Sequence, residues 1–286
     1  MPSDEVTSQP ALSSLHIHPV KALGGSSPAS AVVEPWGLAG DRRWMLTDRD
    51  GKAVTQRQYA ALAPASAALP PGGGVRVSAP GRAPLDIAVP DPGDGTVVVD
   101  VFGTKVEAVP AAPDAEAWFA DYLGADVRLV HMDDPSRRRP VAPDYAREGE
   151  TVNFADGFPL MVTTTASLDA LNALIAAGED AHEGPLPMER FRPTAVVDGT
   201  VAWEEDRWAR IAIGDVTFRV AKPCSRCVVT TTDQRTGVRG REPLRTLSRH
   251  RKSGSKVLFG QNLVPETTGT LRVGDPLRVL AVRDDT

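Results

Sequence analysis

Ala209-Arg210-Ile211-Ala212-Ile213-Gly214-Asp215-Val216-Thr217-Phe218-Arg219-Val220 is the stretch from which the fold is read. Ala209, Ile211 and Ile213 alternate with other residues, and Val216, Phe218 and Val220 repeat the pattern after Gly214-Asp215. Apolar residues at every second position put one face of a strand on a core, and a Gly-Asp pair between two such runs marks a hairpin.

The same pattern recurs along the chain. Leu15 and Ile17 alternate with His16 and His18 in an expected strand over 15–20. Arg43–Thr47 and Lys52–Thr55 flank Asp48-Arg49-Asp50-Gly51, a second hairpin signal. Short runs at 75–77, 85–89, 96–101, 257–260 and 276–280 are separated by Gly and Pro, and the β-branched run Cys227–Thr232 also reads as a strand. Three helices interrupt them. One opens at Pro113, carries Trp118, Phe119, Tyr122 and Leu123, and ends at Gly124. Another runs from Thr165 to Gly178 with Leu168, Leu171, Leu174 and Ile175 on one face, and a short one follows Glu242-Pro243 with Leu244 and Leu247 inward. The expected class is mainly β (α+β) in two parts, 12–130 and 131–283, joined through the polar segment Ser136–Glu150. No internal repeat is visible.

Composition narrows the function classes. With 286 residues, 41% hydrophobic and 24% charged, the chain has globular composition and room for two domains. A net charge of −5 repels phosphate globally, which argues against nucleic acid as a partner. No apolar run is long enough to cross a bilayer, so no membrane association is expected. Met1–Ser14 lacks the basic and apolar regions of a targeting signal; it reads as a frayed tail, with the cytosol as the expected compartment. A monomer is the default expectation.

The two cysteines form Cys224-Ser225-Arg226-Cys227, where no disulfide framework is possible. Spacing leaves four readings open. Zinc needs four ligands, and His16 and His18 are the nearest thing to a second pair. A redox dithiol belongs at a helix start, whereas this motif runs into an expected strand. Two buried thiols could serve simply as small apolar residues. The fourth reading is one thiolate bound to a soft metal, favoured by the cations Arg226 and Lys222 nearby. Molybdenum in a pterin dithiolene fits that description, and its phosphate requires Arg, Lys and Ser donors from several loops.

Such donors occur in five segments: Ile17–Ala22, Gly40–Trp44, Asn153–Leu160 with Ala166-Ser167-Leu168, Phe191-Arg192-Pro193, and Cys224 through Phe259-Gly260-Gln261-Asn262 to Val273-Gly274-Asp275-Pro276. In this order the chain resembles the MOSC-domain proteins. It resembles in particular the two-domain kind with an N-terminal β-barrel that includes the mitochondrial amidoxime reducing component and its bacterial relatives. The resemblance implies an N-terminal barrel followed by a MOSC barrel with a few helices. It implies the molybdenum cofactor (molybdopterin) as prosthetic group, with Cys227 as metal ligand and catalytic residue. Lys21 and Arg42 would reach the cofactor phosphate, Arg192 the pterin side, Ser225 would lie near the phosphate or the pterin, and Asn262 is a weaker candidate for a cofactor contact. The family also carries an association with pyridoxal phosphate. Three departures from the family pattern are Thr194, where Asn is frequent, Ala22, where the mitochondrial relatives have Ser, and Asn262, where some relatives have Tyr.

The implied activity is reduction of hydroxylamines, amidoximes and N-hydroxylated bases. Electrons would come from a separate ferredoxin- or flavoprotein-type donor, since no further cysteines are present to hold an iron–sulfur cluster. The alternatives are a cofactor or sulfur carrier without reductase activity and a zinc-stabilised binding protein. Arg137-Arg138-Arg139 is either a solvated run or an attractor for an anionic substrate or donor.

Overall fold

The computed structural model describes residues 9–138 and 141–283. The first half supplies β1 (Ala11–Leu15), β2 (Ser30–Glu34), β3 (Gly37–Leu38), β4 (Trp44–Thr47), β5 (Ser66–Ala68), β6 (Val75–Ser78), β7 (Leu85–Ile87), β8 (Val97–Val101), β9 (Thr104–Pro110), α1 (Pro113–Leu123) and β10 (Arg128–His131). A single turn, α2 (Pro135–Arg138), leads to β11 (Leu160–Thr164), α3 (Thr165–Ala176), β12 (Ala195–Asp198), β13 (Trp208–Ile213) and β14 (Val216–Ser225). The last elements are α4 (Leu244–His250), β15 (Lys252–Ser253), β16 (Lys256–Pro265), β17 (Gly269–Arg272) and β18 (Leu277–Val282).

The hairpin β13/β14 forms as the alternation requires. Ile211, Ile213, Val216 and Phe218 are buried, and Gly214 takes a positive φ of 56° in the turn. It sits in a sheet ordered β1-β12-β11-β16-β14-β13-β18, with β15 paired on β16. Only β11 and β12 are parallel within it, and α3 is the crossover that a parallel pair requires. The two edges of the sheet meet. Leu277 N donates to Pro10 O (2.7 Å), Leu12 N to Asp275 O (2.9 Å) and Gly274 N to Leu12 O (2.8 Å). Closure removes both free edges and encloses a core that includes Leu12, Leu15, Val162, Val197, Ile213, Phe218 and Leu263.

The remaining strands form sheets ordered β4-β10-β9-β8, β5-β6-β7 and β17-β2-β3, with α1 packed beside the first two. All of β4 is buried because it separates two cores: Trp44 and Leu46 face one, Met45 the other. The sheets do not divide at residue 130. β1 pairs with β12, and β2 with β17 in the register Val33↔Gly269, so the start of the chain is woven into the second barrel.

Four local expectations are corrected. Residues 11–14 are strand β1 rather than tail, because Leu12 and Leu15 are buried; residues 1–8 lie outside the described residues. Lys52–Thr55 makes only isolated bridges, Thr47↔Ala53 and Lys52↔Asp100. His18 is buried rather than outward, its backbone N–H donating to Asp41 Oδ1 (2.7 Å). Val228–Thr231 is a 3-10 turn, not a strand. There Thr230 Oγ1 donates to Cys227 O and Thr231 Oγ1 to Val228 O (both 2.9 Å), so local hydroxyl bonds outcompete the β preference of branched residues. Of the arginine run, Arg139 and the side chains of Arg137 and Arg138 lie outside the described residues. No helix among the described residues is long and apolar enough to cross a membrane.

Candidate functional site

β14 and β16 run antiparallel beside β11, and where β14 ends the chain turns through Arg226 and Cys227 into the 3-10 turn. A cleft of about 420 Å³ opens there, walled on the other side by loops of the first half. Lys21, Arg42, Arg192, Ser225, Cys227 and Asn262 all line it, as does Cys224.

Cys227 is extended (φ −133°, ψ −179°) at the start of the turn, half-buried and unpaired, with Arg57 Nη2 3.5 Å from its sulfur. Cys224 is turned toward the apolar cluster around Phe191 and Phe259, and its sulfur accepts from Arg226 Nη1 (3.0 Å). Arg226 is itself fixed by a bond from Nη2 to Phe191 O (2.6 Å). Ser225 is exposed at the strand end, and Asn262, buried on β16, directs Nδ2 at the carbonyls of Lys222 and Pro223 (3.4 Å each).

The basic residues are positioned by unusual backbone. Ala22, Arg42 and Arg192 all have positive φ, 73°, 47° and 51°, a region that costs a residue with a Cβ about 1–2 kcal/mol. Tertiary bonds hold them there. Arg42 N donates to His18 O (2.8 Å) and Arg42 O accepts from Phe154 N (3.0 Å). Ala22 O accepts from Gln56 Nε2 (2.6 Å). Strain kept at three positions around one cleft is the pattern of a preorganised binding site. Arg42 Nη1 bonds the buried Asp41 (2.5 Å), and Arg192 Nη2 bonds Leu23 O (2.6 Å). Lys21, 4% exposed, is held by Phe154 O (2.8 Å) and Asp156. Arg43, by contrast, ties β4 to β10 through Met132 O and Asp133 O, and plays no part in the cleft.

The field in the cleft is strongly positive. Burial, with Arg42 and Arg226 adding to it, lowers the Arg192 guanidinium to about 9, which leaves it charged at neutral pH. Burial opposes ionisation of Asp156, but Lys21, Arg57 and Arg42 outweigh it and hold the carboxyl well below the usual range. Burial, reinforced by Arg192 and Arg42, keeps His18 neutral.

Sequence reasoning did not single out Arg57, Asp156 or Gln56 as site residues. Gln56 and Gln234 exchange amide bonds (3.0 and 3.1 Å) across the two parts of the chain, and Phe102 stacks under Arg57 (4.7 Å) and Lys21 (5.1 Å). The available signal was the polar run Thr55-Gln56-Arg57-Gln58. Thr194, at the family's Asn position, is locked into the sheet: its hydroxyl accepts from Met161 N (2.7 Å) and donates to Met161 O (2.9 Å). No group of three or more His, Cys, Asp and Glu is gathered among the described residues, so the zinc reading lacks its ligand set.

Comparison with known proteins agrees with this architecture. Residues 9–126 match the MOSC N-terminal beta barrel domain and residues 149–278 the MOSC domain. These two matches in sequence define a two-domain MOSC protein. Mitochondrial amidoxime-reducing component 1 of Homo sapiens is 32% identical over 283 residues, covering 93% of this chain and 82% of that protein. The Danio rerio protein of the same name is 32% identical over 288 residues, covering 96% and 86%. The molybdenum cofactor sulfurase of Oryza sativa is 28% identical over 275 residues, 89% of this chain but 33% of that longer protein. The chain belongs to the MOSC family that contains the mitochondrial amidoxime-reducing components.

Proposed function

We propose that the cleft holds a molybdenum cofactor through Cys227 Sγ and that the protein reduces N-hydroxylated compounds with electrons from a separate protein. The observation that carries this reading is the meeting of a half-buried thiol with Lys21, Arg42 and Arg192 in one cationic cleft. The donor set fits such a group. Of the two thiols, Cys224 packs against the apolar cluster and Cys227 does not; the cleft's carboxylate, Asp156, is paired with Lys21 and Arg57, and the surrounding cations match a phosphate-bearing pterin.

In this reading Lys21 and Arg42 hold the phosphate, while Arg192, Ser225 and Asn262 hold the pterin. Asp156 fixes Lys21 and Arg57, and Arg57 offsets the negative charge of a Cys227 thiolate. When bound, the cofactor supplies a two-electron couple able to take an oxygen atom from an N–O bond. The overall reaction balances as R–NHOH + 2 electrons + 2 H⁺ → R–NH₂ + H₂O. Both cysteines of the chain line this cleft, so a ferredoxin- or flavoprotein-type donor supplies the electrons.

The test is expression in a host that makes molybdopterin, with metal analysis of wild type and Cys227→Ser. Molybdenum near one equivalent in the wild type and lost from the variant is expected, together with amidoxime reduction by artificial one-electron donors but not by NADH alone. Equal molybdenum in both proteins refutes the ligand, and turnover with NADH alone refutes the separate donor. The match to a cofactor sulfurase favours a second reading, a sulfur carrier. Cyanide-releasable sulfur on the purified protein, with no reductase activity, would establish it.

A further inference from the structure

The cations of the cleft are not equivalent. Lys21, Arg42, Arg57, Arg192 and Arg226 each bond or pair with a protein oxygen. Lys222 has no oxygen acceptor for its ammonium among the described residues. Its Nζ instead lies over the rings of Tyr145 (4.6 Å) and Phe158 (5.5 Å), which meet edge to face at 5.9 Å. The rings pin the ammonium without neutralising it, and its three N–H donors are left for a guest. Lys222 and Phe158 both line the cleft.

Position separates Lys222 from the thiol. It stands opposite Asn262 on β14, three residues before Ser225, which at strand spacing is about 10 Å along the strand. A group bound at Cys227 therefore shares the cleft with this ammonium, which stands back along β14 from the turn that carries the thiol. We propose that Lys222, framed by Tyr145 and Phe158, is a specificity-determining residue that takes the oxyanion of the substrate, a carboxylate or phosphate. The preferred substrates are then anionic N-hydroxylated compounds whose N–O end points toward Cys227. This inference rests on the reductase reading above.

The test compares benzamidoxime with its 4-carboxy derivative on molybdenum-loaded wild type, Lys222→Met and Lys222→Arg, using reduced methyl viologen as donor. Wild type is expected to favour the carboxylated compound in kcat/KM by roughly five- to tenfold, the range of a partly exposed charged contact. Lys222→Met should reduce that ratio to near one, and Lys222→Arg should keep most of it. Calorimetric binding of both compounds to the same proteins is read in parallel. If wild type turns over neither compound yet binds the anion more tightly than Lys222→Met does, the subsite stands and the reductase reading falls. An unchanged ratio and unchanged binding in Lys222→Met overturn the subsite. So does loss of molybdenum from that variant, which would assign the ammonium to the cofactor's own phosphate.

Discussion

Acidification should expose the cost of burying His131. This residue closes β10 opposite Trp44, 4.5 Å from its ring, is 7% exposed, and its Nδ1 has no partner among the described residues. Burial, aided by the Arg43 cation and opposed by Asp133, lowers its pKa from 6.5 to about 4. The folded protein thus protonates His131 only near pH 4, whereas the unfolded chain does so near 6.5. The neutral ring's contribution is complete above pH 6.5 and is lost as the pH falls toward 4, because the unfolded chain takes up the proton first. Linkage over pH 7 to 4.5 gives a loss of roughly 2 kcal/mol from this one group. His131→Phe keeps a ring against Trp44 and cannot titrate. Urea denaturation followed by circular dichroism, at pH 7 and 4.5, should show the variant losing about 2 kcal/mol less than wild type. Other buried groups such as His18 contribute to both proteins and cancel. An equal loss in the two proteins would refute the account of His131.

Two further outcomes follow from the packing. Gly260 has φ +77°, and a Cβ there would lie 2.7 Å from Met161 Cε and 2.8 Å from Val162 O, so Gly260→Ala should cost about 2–4 kcal/mol in urea denaturation. Glu205 is fully buried against Ser167 Oγ (2.8 Å) and Thr164 Oγ1 (3.2 Å), and burial raises its pKa despite those bonds. A raised carboxyl stabilises the fold at low pH and loses that contribution as the pH rises through its folded pKa. Glu205→Gln should therefore gain stability at pH 7 relative to pH 4, measured by thermal melts at both.

The elements visible in the sequence are those whose signal is local. α1 carries its own punctuation, Pro113 at the start and Gly124 in the left-handed region at the end. The hairpin β13/β14 buries one face, so its period of two is visible. β11 is buried along its whole length, and β4 divides two cores, so neither shows the alternation of a half-buried strand. At Cys227–Thr232 composition misled, because threonine hydroxyls bond their own turn. In the site, Lys21, Arg42, Arg192, Ser225, Cys227 and Asn262 were reached through motif order, and the fold gathers all six into one cleft. Arg57 and the Gln56–Gln234 pair were not legible: their partners lie 170 and 178 residues away, and no periodicity links them. The positive φ of Ala22, Arg42 and Arg192 is equally silent, since it is imposed by distant bonds rather than by glycine.

The closure of the second barrel through residues 10–12 and 274–277 has a consequence for biosynthesis. β1 is synthesised well before its partner β12, and longer still before the 274–277 edge. At ordinary elongation rates β1 waits on the order of tens of seconds for its last partner. During that time Leu12 and Leu15 and an unpaired strand edge are open to wrong neighbours. A nascent chain stalled before residue 274 should hold the first-half sheets while its N-terminal strand remains a client for chaperones.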